Sequence, residues 1–236
     1  MVIENFLPQD MQEALIQDVK QLREKDHFKM AKIGQDSTNK LNQEIRVAQT
    51  CFIGGKRDLP DSPDRMGMVS MLESVCRSLS QNSILQSPKL DQNLSELLYA
   101  YYPQGGFYRR HRDSIPGSAS VLRTFSLLLY LNKDWKESDE GYLRLHMDSG
   151  GDELPAGEEP NFLDVAPKGG TLVLFDSSKV PHEVLDTKSE RLAIVGWYNK
   201  ELTAADVAEL GVDPVRLGMM AVAAAMVTVG LVSILS

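Results

Sequence analysis

Apolar residues recur at spacings of three and four over residues 8–25 and again over residues 64–86, which predicts two amphipathic helices. Short strands are predicted at 2–7 and 44–53, with a polar loop at 34–43 between them. The positions that carry the helical pattern are Met11, Leu15, Val19 and Leu22 in the first helix and Met68, Val69, Leu72, Val75, Cys76 and Leu79 in the second. Each helix therefore has one apolar face that must pack against another element.

The pattern changes near residue 94, where short apolar runs begin to alternate with turns rich in Gly, Pro, Asn and Asp. Many short strands after leading helices favour a mostly β fold, such as a sandwich, jelly roll or barrel. The predicted strands cover residues 94–102, 107–113, 123–131, 141–147, 162–165, 170–176, 181–186 and 191–199. We expect residues 1–93 to form a helical and strand support region for a β core over residues 94–200.

The C-terminal residues 201–236 are predicted to be a short helix, near 203–210, followed by an apolar tail. Residues 217–235 carry no charge, and 19 residues are just enough to span a bilayer as a helix. The run is rich in Ala and Gly, so it is only weakly apolar. Two interpretations remain: a membrane anchor that leaves the core in the cytosol, or a helix packed on the domain or a partner.

Composition narrows the classes of protein that fit. With 236 residues, 42% hydrophobic and 25% charged, the chain suits one well-cored globular domain. Its net charge of −8 argues against a protein that holds nucleic acid mainly through phosphate contacts. Cys51 and Cys76 are too few for a disulfide framework and are expected to be reduced, buried thiols. The acidic and polar start of the chain does not fit a secretory signal, and an acidic, glycine-rich stretch at 148–160 predicts an exposed loop.

A candidate metal site lies at the end of the run 101–113, which closes on His-Arg-Asp. If this run is a strand, His111 and Asp113 point to the same face, since side chains alternate along a strand. His182, after a later apolar run, supplies a third ligand type. Two histidines and one carboxylate with open positions opposite are typical of a non-haem Fe(II) oxygenase site.

Arg191 and Tyr130 predict an anion site beside these ligands. Arg191 begins a mostly apolar strand, nine residues after His182, and a polar loop at 186–190 is short enough to be a hairpin that brings the two close. A buried arginine needs an anionic partner, and a small carboxylate co-substrate held by two parallel hydrogen bonds is the natural one. Tyr130 shares a strand face with Thr124, Ser126 and Leu128 and supplies a second donor.

Each of these residues also has a simpler interpretation. A single His-x-Asp is usually a surface ion pair, His182 could be an ordinary loop histidine, and Arg191 could pair with Asp186 or Glu190. A zinc hydrolase site is the rival metal hypothesis, but no H-E-x-x-H helix is present and Arg191 would have no role. His27 and His146 lack a second ligand in register and are predicted not to bind metal.

Taken together, the residues resemble the 2-oxoglutarate/Fe(II)-dependent dioxygenases, and among them the branch of the prolyl 4-hydroxylases and oxygen-sensing prolyl hydroxylases. The resemblance extends from about residue 6 to residue 199 and depends most on four stretches, 101–113, 130–135 (YLNKDW), 141–145 (GYLRL) and 181–198. The three-ligand pattern marks only the superfamily, whereas YLNKDW followed by GYLRL is more specific to the prolyl hydroxylases.

The resemblance implies a double-stranded β-helix, or jelly roll, as the dioxygenase core at 94–200, with His111, Asp113 and His182 holding Fe(II). It implies that 2-oxoglutarate binds the metal and places its far carboxylate on Arg191 and Tyr130, that O2 is the second co-substrate, and that ascorbate is the reductant. Further residues match the family's pocket: Tyr102, Tyr108 and Trp197 as lining aromatics and Arg123 near the substrate mouth.

The expected reaction is hydroxylation of a prolyl residue in a protein or peptide, with release of succinate and CO2. An oxygenase of the same fold acting on a lysyl side chain, a free amino acid or an alkylated base is the alternative. A third hypothesis, a catalytically silent metabolite-sensing module, predicts missing ligands, whereas all three ligands and Arg191 are present in this sequence.

Overall fold

A computed structural model describes residues 1–34, 40–55, 59–82, 87–147, 161–203 and 206. The two helices are α1 (Gln9–Glu24) and α2 (Pro63–Gln81). The strands are β1 (Val2–Ile3), β2 (Lys29–Met30), β3 (Arg46–Val47), β4 (Gln49–Phe52), β5 (Leu97–Tyr102), β6 (Phe107–His111), β7 (Arg123–Tyr130), β8 (Leu143–His146), β9 (Phe162–Val165), β10 (Leu172–Asp176), β11 (His182–Val184) and β12 (Arg191–Asn199).

The strands form two antiparallel sheets that enclose a common interior. The larger sheet has the order β1-β10-β7-β12-β5-β4-β2, and the smaller one β3-β6-β11-β8-β9. Neighbouring strands are mostly distant in sequence, as when β12 lies between β5 and β7. The fold is thus the predicted double-stranded β-helix, and strands from the N-terminal region extend both of its sheets.

Alternation along the central strands sorts residues between the helices and the interior. On β12, Ile194 belongs to the apolar cluster formed with α1 and α2, which includes Leu15, Leu22 and Leu72. Its neighbour Ala193 belongs instead to the cluster between the sheets. Because period-2 alternation places Arg191 on the same side as Ala193, the arginine at the start of β12 enters the interior.

The clearest differences between predicted and observed boundaries concern one helix and two strands. The predicted helix at 64–86 ends at Gln81, because its apolar pattern stops at Leu79 and Asn82 adopts extended geometry with ψ of 100°. The predicted strand at 44–53 is two strands separated at Ala48, where the chain passes from the smaller sheet to the larger. The strand predicted at 107–113 ends at His111.

The segment between His182 and Arg191 is not the hairpin loop that the sequence predicted. β11 pairs with β6 and β8, whereas β12 pairs with β5 and β7, so residues 185–190 cross from one sheet to the other. Thr187 forms an isolated bridge with Glu140, and its hydroxyl donates to the carbonyl of Ser189 at 2.6 Å. The short polar loop fits this crossing as well as a hairpin, because its length does not specify which strands it joins.

Several predicted features lie wholly or mostly outside the described residues: the loop at 148–160, the short helix at 203–210 and the uncharged run at 217–235. Within the described ranges, no helix has both the length and the apolar character needed to cross a bilayer. Cys51 and Cys76 are both buried, with free thiols.

A buried ion pair joins the helices to the larger sheet. Arg65 on α2 donates from Nε and Nη2 to the two carboxylate oxygens of Asp18 on α1, at 2.9 and 2.6 Å. The hydroxyl of Tyr99 on β5 donates to the same carboxylate at 2.8 Å. The side chains of Arg65 and Asp18 are only 11% and 10% exposed. This contact therefore fixes both helices against one strand.

Replacing Arg65 with methionine should destabilise the protein by about 3 kcal/mol, because it leaves the Asp18 carboxylate buried without its cation. The free energy of unfolding, measured in urea, tests this. Arg144→Met is the matched control, since the pair of Arg144 with Asp164 is more exposed and should contribute about 1 kcal/mol or less. Equal stabilities for the two variants would contradict the prediction.

Candidate active site

Two histidines from neighbouring strands and one aspartate converge inside the smaller sheet. His111 on β6 and His182 on β11 are cross-strand partners, and their ring centroids are 4.3 Å apart. Asp113 lies two residues beyond the end of β6, and its carboxylate is 3.5 Å from Nε2 of His111 and 3.4 Å from Nε2 of His182. Among the described residues, these three form the one cluster with the composition and spacing of a metal site.

Main-chain carbonyls orient both imidazoles. Nδ1 of His111 lies 2.8 Å from the carbonyl of Arg109, and Nδ1 of His182 lies 3.2 Å from that of Val180. A carbonyl can only accept, so each Nδ1 carries a hydrogen, and Nε2 is the ring nitrogen that faces Asp113. This is the tautomer that a metal-binding histidine requires.

The Asp113 carboxylate is held by two serines. Its Oδ2 accepts a hydrogen bond from the Ser126 hydroxyl at 2.7 Å, and Ser126 in turn lies 2.8 Å from the Ser177 hydroxyl. Burial by itself would raise the pKa of Asp113, but His182, His111 and Ser126 together hold it well below its usual range. The carboxylate is therefore ionised at neutral pH.

Burial lowers the pKa of His182 to about 4, with the neighbouring His111 acting in the same direction. At neutral pH, His182 is therefore an uncharged base beside a buried anion. A buried carboxylate facing a neutral imidazole is poorly compensated, and a cation between the three groups would satisfy all of them. Two imidazole nitrogens and one carboxylate oxygen fit Fe(II), and coordination from one side leaves positions open for other ligands.

Arg191 is almost completely buried, at 1% exposure, yet two of its nitrogens have no partner. Its Nε donates to the main-chain carbonyl of Gly141 at 2.8 Å, whereas Nη1 and Nη2 have no hydrogen-bond acceptor. The guanidinium carbon lies 5.0 Å from the ring centre of Tyr102 and 5.1 Å from that of Tyr130. Two parallel unpaired N–H groups in a buried site match a carboxylate.

The hydroxyl of Tyr130 is also buried without a hydrogen-bond partner. Burial raises the pKa of Tyr130 to about 12, although Arg191 beside it acts in the opposite direction. The phenol therefore keeps its proton and adds a third unused donor next to the two from Arg191. Arg191 does not form the ion pair with Asp186 or Glu190 that was its simpler interpretation. Asp186 pairs with Arg109 instead, and Glu190 accepts a hydrogen bond from the Tyr101 hydroxyl.

Gly141 leaves room for the Arg191 side chain because it has no side chain of its own. The glycine has a φ of +72°, and a Cβ there would lie 2.9 Å from the Thr187 side chain and 3.2 Å from Cδ of Arg191. The loop before β8 and the crossing segment 185–190 therefore meet around the arginine, with Gly141 at the point of closest approach.

A cavity of about 750 Å³ opens from the three converging residues. Of the other predicted site residues, Arg191 and Tyr130 do not line it, whereas the remaining four do: Tyr102, Tyr108, Arg123 and Trp197. Tyr102 lines this cavity and is also the cross-strand partner of Arg191, so it connects the two halves of the site. Tyr108 stacks on His111 with ring centroids 3.6 Å apart. Trp197 lies under the guanidinium of Arg123, 3.7 Å from its ring centre, and its indole N–H has no partner.

Arg123 lines the cavity and also forms a hydrogen bond to the metal-ligand region. Its Nη1 donates to the main-chain carbonyl of Asp113 at 3.2 Å, and its Nε donates to Glu96 at 3.1 Å. Of the two histidines predicted not to bind metal, His146 pairs with Glu183 at 3.0 Å and His27 lines the outer part of the cavity.

Sequence reasoning missed three residues at the site, Ser177, Glu96 and Arg46, and it also missed the role of Gly141. Ser177 and Glu96 act through partners that are distant in the chain, and no local pattern marks them. Gly141 could have been found, because a glycine inside a predicted strand, here 141–147, is a sign of a close backbone approach.

Comparison with known proteins agrees with this geometry. Residues 97–199 match the model of the 2OG-Fe(II) oxygenase superfamily. Over 94 residues the chain is 33% identical to prolyl 3-hydroxylase OGFOD1 of Xenopus laevis, and the match covers 38% of this chain and 16% of that protein. The chain thus spans about a sixth of this curated relative.

Solved structures of similar fold include a Pseudomonas putida prolyl-4-hydroxylase, with a TM-score of 0.67 and 27% identity over 86% of this chain and 92% of that one. Another is a Trichoplax adhaerens prolyl hydroxylase in complex with a peptide fragment of the hypoxia inducible factor oxygen degradation domain. Its TM-score is 0.68, and its sequence identity is 26% over 85% of this chain and 83% of that one. Residues 97–199 thus match the 2OG-Fe(II) oxygenase superfamily, and the chain is similar in sequence and fold to prolyl hydroxylases.

Proposed function

We propose that this protein is an Fe(II)- and 2-oxoglutarate-dependent dioxygenase that hydroxylates a prolyl residue of a protein or peptide, with release of succinate and CO2. The observation that carries the proposal is the buried Arg191, whose two unpaired nitrogens lie next to the unpaired Tyr130 hydroxyl, while its cross-strand partner Tyr102 lines the cavity at the three converging residues. A dicarboxylate that also binds a metal would use both groups of residues at once.

In this proposal the iron would bind to Nε2 of His111, to Nε2 of His182 and to a carboxylate oxygen of Asp113. Bound iron, 2-oxoglutarate and O2 supply the oxidising chemistry, with ascorbate as the reductant. Ser126 and Ser177 fix the rotamer of Asp113, and the carbonyls at 109 and 180 fix the imidazoles. The protein thus contributes ligand geometry prepared in advance, so little reorganisation is needed when the metal binds.

Arg191 and Tyr130 bind the far carboxylate of 2-oxoglutarate in the same proposal. Tyr102 pairs with Arg191 across the strands and also lines the cavity at the metal ligands, so it borders both sites. Because Arg191 and Tyr130 are both buried, water is kept from this end of the co-substrate. The same burial strengthens the charge-assisted hydrogen bonds to the carboxylate.

A prolyl substrate is supported by the similarity to prolyl hydroxylases and by the cavity wall. The similar proteins include a prolyl-4-hydroxylase and a prolyl hydroxylase in complex with a peptide fragment. Tyr108 and Trp197 line the cavity that opens from the metal ligands, and Arg123 offers a donor for a peptide carbonyl.

Incubating the protein with Fe(II), 2-oxoglutarate, ascorbate and a panel of proline-containing peptides tests the proposal. We expect peptide-dependent succinate formation and the gain of one oxygen atom on a prolyl residue, located by fragmentation mass spectrometry. Peptides carrying lysine in place of proline, and free amino acids, test the alternative substrates. Turnover with one of these and not with prolyl peptides would replace the prolyl assignment, and no 2-oxoglutarate turnover at all would favour a silent sensing module.

We further propose that residues 217–235 tether the protein to a membrane, with the β core in the cytosol. The support is the absence of charge over 19 residues, which a soluble helix with one polar face would not have. Fusing residues 217–236 to a fluorescent reporter tests the tether. Membrane-bound fluorescence is expected, and a diffuse signal would exclude it.

A further inference from the structure

The cavity at the metal ligands continues outward along the N-terminal strands, beyond the residues used so far. Its outer wall is built by β2, by the turn that follows it and by β4, with apolar and basic side chains exposed to solvent. The residues of this outer wall include Lys29, Met30, Lys32, Ile33, Thr50 and Phe52. Met30 is 39% and Phe52 46% exposed, so this part of the cavity is an open groove.

The lining of the cavity is basic, although the protein as a whole has a net charge of −8. The basic residues of the lining are Lys29, Lys32, Arg46, Arg112 and Arg123, and the acidic ones are Glu96 and Asp113. Glu96 is already paired with Arg123, Lys29 is paired with Asp26, and Asp113 faces the two histidines. The groove therefore has a positive surplus that would attract an anionic group.

Arg46 stands at the junction between this outer groove and the metal ligands. It begins β3, next to Tyr108 on β6, and its guanidinium carbon lies 4.5 Å above the Tyr108 ring centre. The other neighbour of that ring is His111, with centroids 3.6 Å apart. Arg46, Tyr108 and His111 thus form one stack that ends at a metal ligand.

The guanidinium of Arg46 lacks an anionic partner. Its Nε is buried and makes no hydrogen bond, and no carboxylate of the described ranges is within 4.0 Å of its nitrogens. Stacking on Tyr108 holds the guanidinium plane in place without using its hydrogen-bond donors. A fixed, unused guanidinium at the edge of a basic groove is suited to binding a carboxylate.

We propose that Arg46 is a specificity-determining residue that binds an acidic side chain of the substrate, within about three residues of the target proline. The inference rests on the proposed function, because it concerns the segment that flanks the hydroxylated residue. The length of the stack sets how far the acidic residue lies from the proline in the substrate sequence. The stack has two steps, 4.5 Å from Arg46 to the Tyr108 ring and 3.6 Å from that ring to His111. An extended peptide advances roughly 3.3 Å per residue, so these two steps together correspond to two or three residues. The preferred substrate is thus an acidic proline-containing segment.

Peptides with one central proline that differ only by Asp or Asn test this, with the acid moved through each position from three before the proline to three after it. For the wild type, we expect one position at which Asp raises kcat/KM at least about tenfold over Asn. Arg46→Gln should remove this difference. Arg46→Lys, which keeps the charge but not the planar fork, should retain part of it.

Two further variants sharpen the test. Arg77→Gln makes the same change on α2, away from the cavity, and should keep the full preference for Asp. Arg46→Glu should reverse the preference, so that a Lys peptide becomes better than an Asp peptide. The preference of the wild type should also weaken as ionic strength rises, because the groove is open to solvent. The Tm of each variant shows whether it is folded.

Binding of the same peptides, followed by fluorescence anisotropy with Mn(II) in place of Fe(II), separates this inference from the proposed function. Preferential binding of the Asp peptides without any prolyl oxidation would support the role of Arg46 and overturn the prolyl reaction. Prolyl hydroxylation with equal kcat/KM for Asp and Asn at every position would overturn the role of Arg46 and leave the reaction in place. A preference that persists in Arg46→Gln would also overturn it.

Discussion

Replacing Asp113 with alanine should abolish Fe(II)-dependent turnover of 2-oxoglutarate while the protein remains folded. Asp113 is the one anion among the three converging residues, and its carboxylate is 3.4 to 3.5 Å from both histidine Nε2 atoms. Changes to residues that only support a metal ligand typically cost 10–100-fold in metal affinity, so loss of the charged ligand should cost more than about a hundredfold. The fold should survive because Ser126 keeps Ser177 as its hydrogen-bond partner.

Metal-dependent stabilisation gives a readout besides activity. At a concentration of Mn(II) or Fe(II) about a hundred times the dissociation constant, the wild type should gain about 2.7 kcal/mol of stability, whereas the variant should gain almost none. Asp164→Ala is a matched control, because it makes the same change in the smaller sheet, where the side chain pairs with Arg144. If the Asp113 variant were stabilised by metal as much as this control, the assigned ligand set would be wrong.

Replacing Arg191 with methionine should weaken 2-oxoglutarate binding by roughly 30- to 700-fold, which corresponds to about 2–4 kcal/mol for a desolvated bidentate contact. The same change should not destabilise the protein without co-substrate. The guanidinium is buried with Nη1 and Nη2 unpaired, and an apolar side chain of similar length removes that cost. A purely structural role for Arg191 would predict the reverse: lost stability with unchanged affinity for 2-oxoglutarate.

Measuring the dissociation constant of 2-oxoglutarate, metal affinity and the free energy of unfolding on the same variant checks both parts. Metal affinity should stay within a few-fold of the wild type. Arg109→Met serves as the control, since Arg109 forms an exposed pair with Asp186 on the same crossing segment. Tyr130→Phe should weaken 2-oxoglutarate binding by about tenfold, because one hydrogen bond from a neutral donor is lost. Normal co-substrate affinity in Arg191→Met would refute the assignment.

Much of the site could be predicted from the sequence, because its elements depend on local periodicity. Alternation along β12 places Arg191 on the interior side and Ile194 towards the helices, as the structure also has it. The two helices lie within one or two residues of their predicted starts, because their apolar positions repeat over several turns. The family resemblance then supplied the fold and an expected set of site residues, which local pattern alone could not have joined.

Other features depend on contacts that no local pattern encodes. A short polar loop such as 186–190 fits either a hairpin or a crossing between sheets, and only the pairing of β11 with β6 and of β12 with β5 decides between them. The hydrogen bonds of Ser177 and Glu96 and the stack of Arg46 on Tyr108 join residues from different strands in the same way.

The sequence by itself determined which chemical groups this protein has and which strand faces carry them, because both follow from residue type and a period of two along the chain. Only the tertiary structure decided which of these groups meet. It left the nitrogens of Arg191 unpaired beside Tyr130, and it placed Arg46 one aromatic ring away from His111. The physical reason is that charge compensation depends on distance in space, and sheet pairing brings together residues that are far apart in the chain.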